Sequence, residues 1–344
     1  MASCADDDLG QNDVQGDRGT AVSFNVSDAQ NDAQQTAGAK AATGMPVSRV
    51  AFMNQLSMQG VTLDDLDSRK LAATASDGTE SCLIETTVAG VNPMSQNGMP
   101  TRANIITTAT LGKFSTTAYR GTAAASIGTP PWFYNLETNP DGSLAQPVLW
   151  SFSQPFARFY AVYPQATAAY TKLTLSPEGH SGTPYVDFEV ELNVINQKDL
   201  MTACSGVVQY ATQYVAPTAN LRFRHALTAV RFKVGQNLSY NKTITKVEIR
   251  NAMSKGRYTL SSEADGTGAA WSDVSTPTTF TLSGLSVSTH ENVNAILTGK
   301  NNDNYTFYMI PQSLSGVSVY VEFSDGSHIN ANLSGTWKAG TTKT

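Results

Sequence analysis

General acid-base chemistry in this chain would fall to four histidines: His180, His225, His290 and His328. His180 lies in a Glu178-Gly179-His180-Ser181-Gly182-Thr183-Pro184 turn, His290 precedes Glu291 in a loop, and His328 directly follows a hairpin turn. Only His225 falls well inside a strand pattern. A hydrolase needs a nucleophile, a base and a group that orients the base. None of the four sits in such a constellation, and no HExxH, GxSxG, Walker or GxGxxG pattern occurs in an interpretable context. His225 therefore reads as a packed or hydrogen-bonded residue. The run Gly299-Lys300-Asn301-Asn302-Asp303-Asn304 lacks the spaced carboxylates of a calcium loop and reads as a polar turn. No catalytic residue, metal or cofactor is expected, and the chain reads as a non-enzyme.

Two further groups of residues invite a binding reading. Trp132, Phe133 and Tyr134 follow Pro130-Pro131. Flat rings at this density suit a ligand platform for sugars, although a core or loop anchor in a β domain is the commoner role for such a run. Arg222, Arg224, Arg231 and Lys233 are the densest basic cluster and read as a solvated strand face. The formal net charge of −5 leaves no electrostatic footprint for nucleic acid. Cys82 and Cys204 match no metal spacing; they are either one disulfide or two separate thiols.

The elements that must carry these residues are strands. Charged residues are 15% of the chain, below the roughly 25% usual for soluble proteins. Thr, Ser, Ala, Asn and Gly take their place, which favours strands and turns over amphipathic helices. Apolar runs separated by turn residues mark strands at Cys82 to Val88, Ile105 to Thr110, Phe114 to Tyr119, Val148 to Phe152, Phe159 to Tyr163, Leu173 to Leu175 and Tyr185 to Val190. Helical turns are expected only at Thr62 to Leu66 and Asp199 to Ala203. Leu221 to Val234 reads as one long strand, with Ala226, Thr228, Val230, Phe232 and Val234 in its core-facing phase. Strands follow at Thr243 to Arg250, Arg257 to Leu260, Thr278 to Leu282 and Tyr305 to Ile310. Asp325-Gly326 between two alternating runs predicts a hairpin with a type I′ turn. The pattern is an all-β sandwich with few short helices.

Residues 1–45 are rich in Asp, Asn, Gln, Gly and Ala and read as a flexible tether with one strand, Ala21 to Val26. A turn-like stretch at Gln213 to Asn220 divides the rest into 46–215 and 216–344. No apolar run approaches the roughly 20 residues of a membrane-crossing helix. Ala2-Ser3-Cys4 is either the remnant of a lipoprotein signal or an arbitrary cysteine near the start.

Five short motifs occur in order. They are Phe159-Tyr160-Ala161-Val162-Tyr163-Pro164, Asp199-Leu200-Met201-Thr202-Ala203, Phe223 to Val234, Tyr308 to Leu314, and Trp337-Lys338-Ala339-Gly340. Together with Trp132 and Trp150, they resemble the fimbrillin (Mfa-like, FimA-like) superfamily of Bacteroidetes, the lipoprotein subunits of type V pili, from about Thr101 onward. The resemblance implies two tandem transthyretin-like β-sandwich domains, lipidation at Cys4 and a surface-export signal at Asp6-Asp7-Asp8. It implies a fimbrial subunit, stalk or tip, at the cell outer membrane, tied to the membrane only by the lipid. Its partners would be other pilus subunits, joined by donor-strand exchange, and a surface receptor. Proteolysis after Arg18, Lys40 or Arg49 would precede assembly, and only the last two follow the Ala21 to Val26 strand. The alternative is a non-polymerising surface adhesin or glycan-binding lipoprotein on the same fold. Relatives usually add a strand after the Trp-x-x-Gly motif, so the short stretch from Thr341 to Thr344 implies a truncated chain, a naturally short end or a tip subunit.

Overall fold

The computed structural model describes residues 20–29, 69–78, 80–89, 111–235, 241–297 and 305–344. Their regular structure is strand apart from two one-turn 3-10 helices, Ala124–Ser126 and Val194–Asn196. The first nine strands are β1 (Phe24–Asp28), β2 (Arg69–Ala75), β3 (Glu80–Glu85), β4 (Thr87–Ala89), β5 (Phe114–Gly121), β6 (Gly128–Thr138), β7 (Phe156–Tyr163), β8 (Leu173–Leu175) and β9 (Tyr185–Glu189). The others are β10 (Met201–Gln209), β11 (Ala219–His225), β12 (Thr228–Val230), β13 (Thr243–Thr259), β14 (Ala270–Ser288), β15 (Phe307–Met309), β16 (Ser318–Phe323), β17 (His328–Asn332) and β18 (Thr341–Lys343).

Three sheets result. Sheet one has the order β1-β11-β10-β7-β5-β6, sheet two β15-β12-β18-β4, and sheet three β3-β2-β17-β16-β13-β9-β8 with β14 paired to β13. Sheet membership crosses the expected division at 215/216 in both directions: β8 and β9 belong to sheet three, while β11 belongs to sheet one. The centre of sheet one, β5 and β7, is apolar on both faces. Along β7, Ala157, Phe159 and Ala161 pack into a smaller core with Phe114, Trp150, Tyr210, Leu221 and Phe223. The intervening Tyr160 and Val162 pack into a larger core with Val186, Ile249, Phe280, Phe307 and Trp337. A strand covered on both sides has no polar alternation to display, hence the unbroken burial from Phe114 to Tyr119.

Several sequence expectations are corrected. Leu221 to Val234 is two strands in two sheets, not one. Through β11 the residues Leu221, Phe223 and His225 alternate inward; from Ala226 to Arg231 every residue is buried. The break is fixed by backbone partners. The Trp271 indole N–H donates to Ala226 C=O at 2.7 Å, and Gly340 N–H donates to Leu227 C=O at 2.9 Å. Arg231, expected on a solvated face, is 1% exposed. Met201, expected in a helical turn, opens β10. Val148 to Phe152 makes only an isolated bridge, Ala21 to Leu149. The two strands expected at 243–250 and 257–260 are one, β13, whose first half pairs with β16 and second half with β9. The strand β6 escaped the sequence reading because of Pro130 and Pro131; it is a sheet edge, where a missing N–H is tolerated. The hairpin at Asp325-Gly326 forms, but its turn bonds Gly326 N–H to Phe323 C=O, and within it only Gly326 has positive φ, 81°. That is a three-residue loop with glycine in the left-handed position, not type I′. The stretch after Trp337-Lys338-Ala339-Gly340 is itself a strand, β18, between β12 and β4. The expectations at Thr62 to Leu66 and Ile105 to Thr110 lie outside the described residues.

His225 ends β11 and is buried, with its Nδ1 donating to Asp199 Oδ2 just before β10. Burial pulls the imidazolium down, but the Asp199 charge, the hydrogen bond to it and Asp28 outweigh that and raise the pKa above its ordinary 6.5. A raised pKa means the charged pair contributes fully below the unfolded value and is lost as pH rises through the folded one. Thermal unfolding should therefore show stability falling as pH climbs above 6.5. In Asp199→Asn that slope should flatten; an unchanged slope would show that another group carries it.

Candidate strand-exchange site

The candidate site is a sheet edge. The strand β1 lies parallel to β11, Phe24 opposite Ala219 through Asp28 opposite Phe223. Its N-terminal end has a second neighbour. Residues 142–150 turn back from β6, through a Thr138 to Leu144 bridge, and meet the N-terminal segment at Ser143 to Ser23 and Leu149 to Ala21. Val22 N–H donates to Val148 C=O at 2.8 Å, Phe24 N–H to Gly142 C=O at 3.0 Å and Trp150 N–H to Thr20 C=O at 2.9 Å. Residues 20–29 thus tie the β11 edge of sheet one to residues 142–150.

The alternation along this segment is clean. Val22 and Phe24 are 3% and 5% exposed, while Ala21, Ser23 and Asn25 face out. Phe24 meets Phe159 edge-on at 5.0 Å between ring centroids. Burial of two such side chains contributes about 1.5–3 kcal/mol each. The Tyr210 hydroxyl donates to Thr20 Oγ1 at 3.1 Å, and Asn25 Nδ2 donates to Asn220 Oδ1 at 3.0 Å. Without residues 20–29, two lines of backbone groups and the floor under Phe24 would meet water. An extended strand with apolar residues two apart repairs both.

The fimbrillin-like family model matches residues 101–344. The chain belongs to the fimbrillin-like family. No curated protein matches it. A fimbrial protein from Bacteroides vulgatus ATCC 8482 is similar in structure with a TM-score of 0.46 at 17% identity, over 66% of this chain and 84% of that one. The tip fimbrial protein Mfa3 from Porphyromonas gingivalis, solved with a C-terminal truncation, has a TM-score of 0.32 at 10% identity, over 64% of this chain and 75% of that one. Within this fimbrillin-like chain the surfaces that receive β1, namely β11 and residues 142–150, fall inside the matched region, and β1 falls before it.

Cys4, Asp6 to Asp8, Arg18, Lys40 and Arg49 lie outside the described residues. Lys40 and Arg49 fall in the sequence between β1 and β2. Trp132, Phe133 and Tyr134 sit on β6, each half-buried. Trp132 packs 5.4 Å from Trp150, with the Arg120 guanidinium 4.9 Å above its ring. Phe133 is 6.2 Å from Phe159. The Tyr134 hydroxyl donates to Ser176 C=O at 2.8 Å. Trp132 and Phe133 thus line the cluster that Phe24 enters. Cys82 is exposed and Cys204 buried, both free thiols, and burial pushes the Cys204 thiol up to about 11.

Sequence reasoning missed Gly142, although Asn139-Pro140-Asp141-Gly142 is a turn signal. Gly142 has φ 86°, and a Cβ there would strike the Phe24 carbonyl. Strain in the left-handed region alone costs roughly 1–2 kcal/mol. Gly142→Ala should speed hydrogen exchange at Val22 and Phe24 by about tenfold or more, leaving β13 and β16 unchanged. Equal protection of residues 20–29 in both proteins would show that Gly142 does not hold this segment.

Proposed function

We propose that this protein is a fimbrial subunit that assembles at the bacterial outer surface by strand exchange at the β1 position. The observation carrying this reading is that residues 20–29 cover the β11 edge of sheet one and tie it to residues 142–150, through backbone bonds on two sides and two apolar side chains. Lys40 and Arg49 provide basic cleavage positions between this segment and the rest of the chain. After a cut, β1 is held only by non-covalent contacts, and a strand from a neighbouring subunit with the same alternation replaces it. Membership of the fimbrillin-like family supports the reading, because the match includes the receiving strands. Cys4 is the proposed lipid-bearing residue, holding the protein at the outer membrane before incorporation. A stalk subunit both accepts and donates a strand, whereas a tip subunit only accepts.

The test is limited proteolysis with an Arg/Lys-specific protease, followed by electrophoresis in SDS without heating. Loss of the fragment containing residues 20–29 and a ladder of oligomers are expected for a stalk subunit. A tip subunit should join only when a donor subunit is added. Cleaved protein that keeps its fragment, and stays monomeric when mixed with a donor, would refute exchange at this site.

A further inference from the structure

Sheet two holds a charge that the strand-exchange reading does not use. Arg231 follows β12 directly, and its backbone N–H donates to Lys343 C=O at 2.8 Å. Its side chain is among the largest that are wholly buried, at 1% exposed. Neither Nε nor Nη2 meets a hydrogen-bond partner. The register of β12 with β15 ends at Val230 opposite Phe307, and Arg231 and Thr306 are the next residues beyond that end on each chain segment. Thr306 is 5% exposed, and its Oγ1 also meets no partner. Tyr308, two residues along, is buried and feels the Arg231 charge. Three unmatched polar atoms thus lie just beyond the paired end of β12 and β15.

A guanidinium removed from water without a counter-charge is strongly unfavourable. Among the described residues, the carboxylates of this region are each engaged by a cation, though Asp199 only through Oδ2, its Oδ1 meeting no partner. Glu85 is held by Arg69 at 3.1 Å and by Lys343 at 3.2 Å, and Asp199 is held by His225. The unmatched nitrogens also have a definite geometry, because Nε–H and Nη2–H point the same way from one edge of the guanidinium. Arg257 in this protein uses that same pair to hold both oxygens of Asp187, at 2.7 and 2.9 Å. Such a fork matches two oxygens on one carbon better than a single-atom anion.

We propose that Arg231 and Thr306 form an anion site that takes one carboxylate side-on. Arg231 Nε and Nη2 each donate to one carboxylate oxygen, and the Thr306 hydroxyl donates to one of the two. The carboxylate arrives either as a small free acid, taken up on folding or through local opening, or on an acidic residue of a binding partner. The site is independent of strand exchange, since β1 and β11 belong to sheet one.

The full chain would be unfolded thermally in sodium acetate and in sodium chloride at equal ionic strength, pH 7. Mass action requires a bound ligand to raise the unfolding midpoint with its concentration. Acetate should raise the midpoint above that in chloride for the wild type. The acetate affinity read from this should fall at least tenfold in Arg231→Met and measurably in Thr306→Val. Thr306→Val preserves shape and carries the test if Arg231→Met does not fold. A capped tripeptide with a central Asp forms a second arm. Stabilisation by the peptide but not acetate, lost in the same variants, places the carboxylate on a partner; stabilisation by acetate makes it a free acid. Acetate and peptide both indistinguishable from chloride in the wild type would overturn the proposal. So would an excess over chloride that persists undiminished in the folded variants.

Discussion

A sheet edge is a line of unpaired donors and acceptors, and sheet one would have two such lines if residues 20–29 left it. These residues satisfy the β11 edge on one side and the 142–150 edge on the other. Much else in this half of the protein follows from that closure. The aromatic cluster of Trp132, Phe133, Trp150 and Phe159 is completed by Phe24. The Asn139 to Gly142 turn gives up its side-chain space so that the Phe24 backbone can approach. Tyr210 is oriented by what it meets at either end: its ring stacks on Trp150 at 5.6 Å while its hydroxyl reaches Thr20.

The centre of sheet one has a second constraint, since both faces of β5 and β7 are apolar. A strand buried on both sides can spare few polar groups, and those present must be matched within the protein. Thr116 and Thr138 meet hydroxyl to hydroxyl at 2.7 Å across β5 and β6. Ser115 reaches Asn135 at 2.6 Å and receives the Ala166 N–H at 2.9 Å. The His225 to Asp199 pair belongs to the same economy of polar groups. It lies where β11 ends and the chain passes into sheet two, so the charge that ties β11 to the approach of β10 is buried at the crossing point. Low charge overall, 15% of residues, therefore reflects how much of the fold faces core on two sides.

The sequence made the strand class legible because period-two alternation survives wherever one face is wet. Thus β1, β16 and β17 were visible from Val22 and Phe24, and from Val319, Val321, Ile329 and Ala331. Alternation disappears where both faces are covered. The passage from His225 to Arg231 therefore looked like one strand, although partners far away in sequence, Trp271 and Gly340, split it in two. The same effect hid Arg231, because a basic residue in an alternating run reads as solvent-facing until the second covering sheet is known. The strand-exchange edge was half legible. The Ala21 to Val26 pattern marked the strand, but its parallel pairing with β11 and its second seam at 142–150 depend on contacts more than a hundred residues apart.

The edge closed by β1 contrasts with the longest open edge among the described residues. The strand β14 spans Ala270–Ser288 and pairs only with β13. Its register against β13 shifts in three places, Pro277 lies within it, and Asp273, Thr276 and Gly284 all have positive φ. Outside β13, its backbone meets the 192–193 loop, where Thr281 N–H donates to Leu192 C=O at 2.9 Å. Bulges, a proline and reversed dihedrals are the ordinary means by which an exposed strand is kept from adding another. The β11 edge has none of them: Ala219–His225 runs without a proline or a positive φ and holds five consecutive register pairs with β1. An edge that must never pair can tolerate irregularity, and gains from it. An edge that must accept a strand has to remain straight and in register, and must stay covered until the replacement arrives. The contrast between β14 and β11 is what the proposed exchange at β1 would require: one edge kept from pairing and one kept straight.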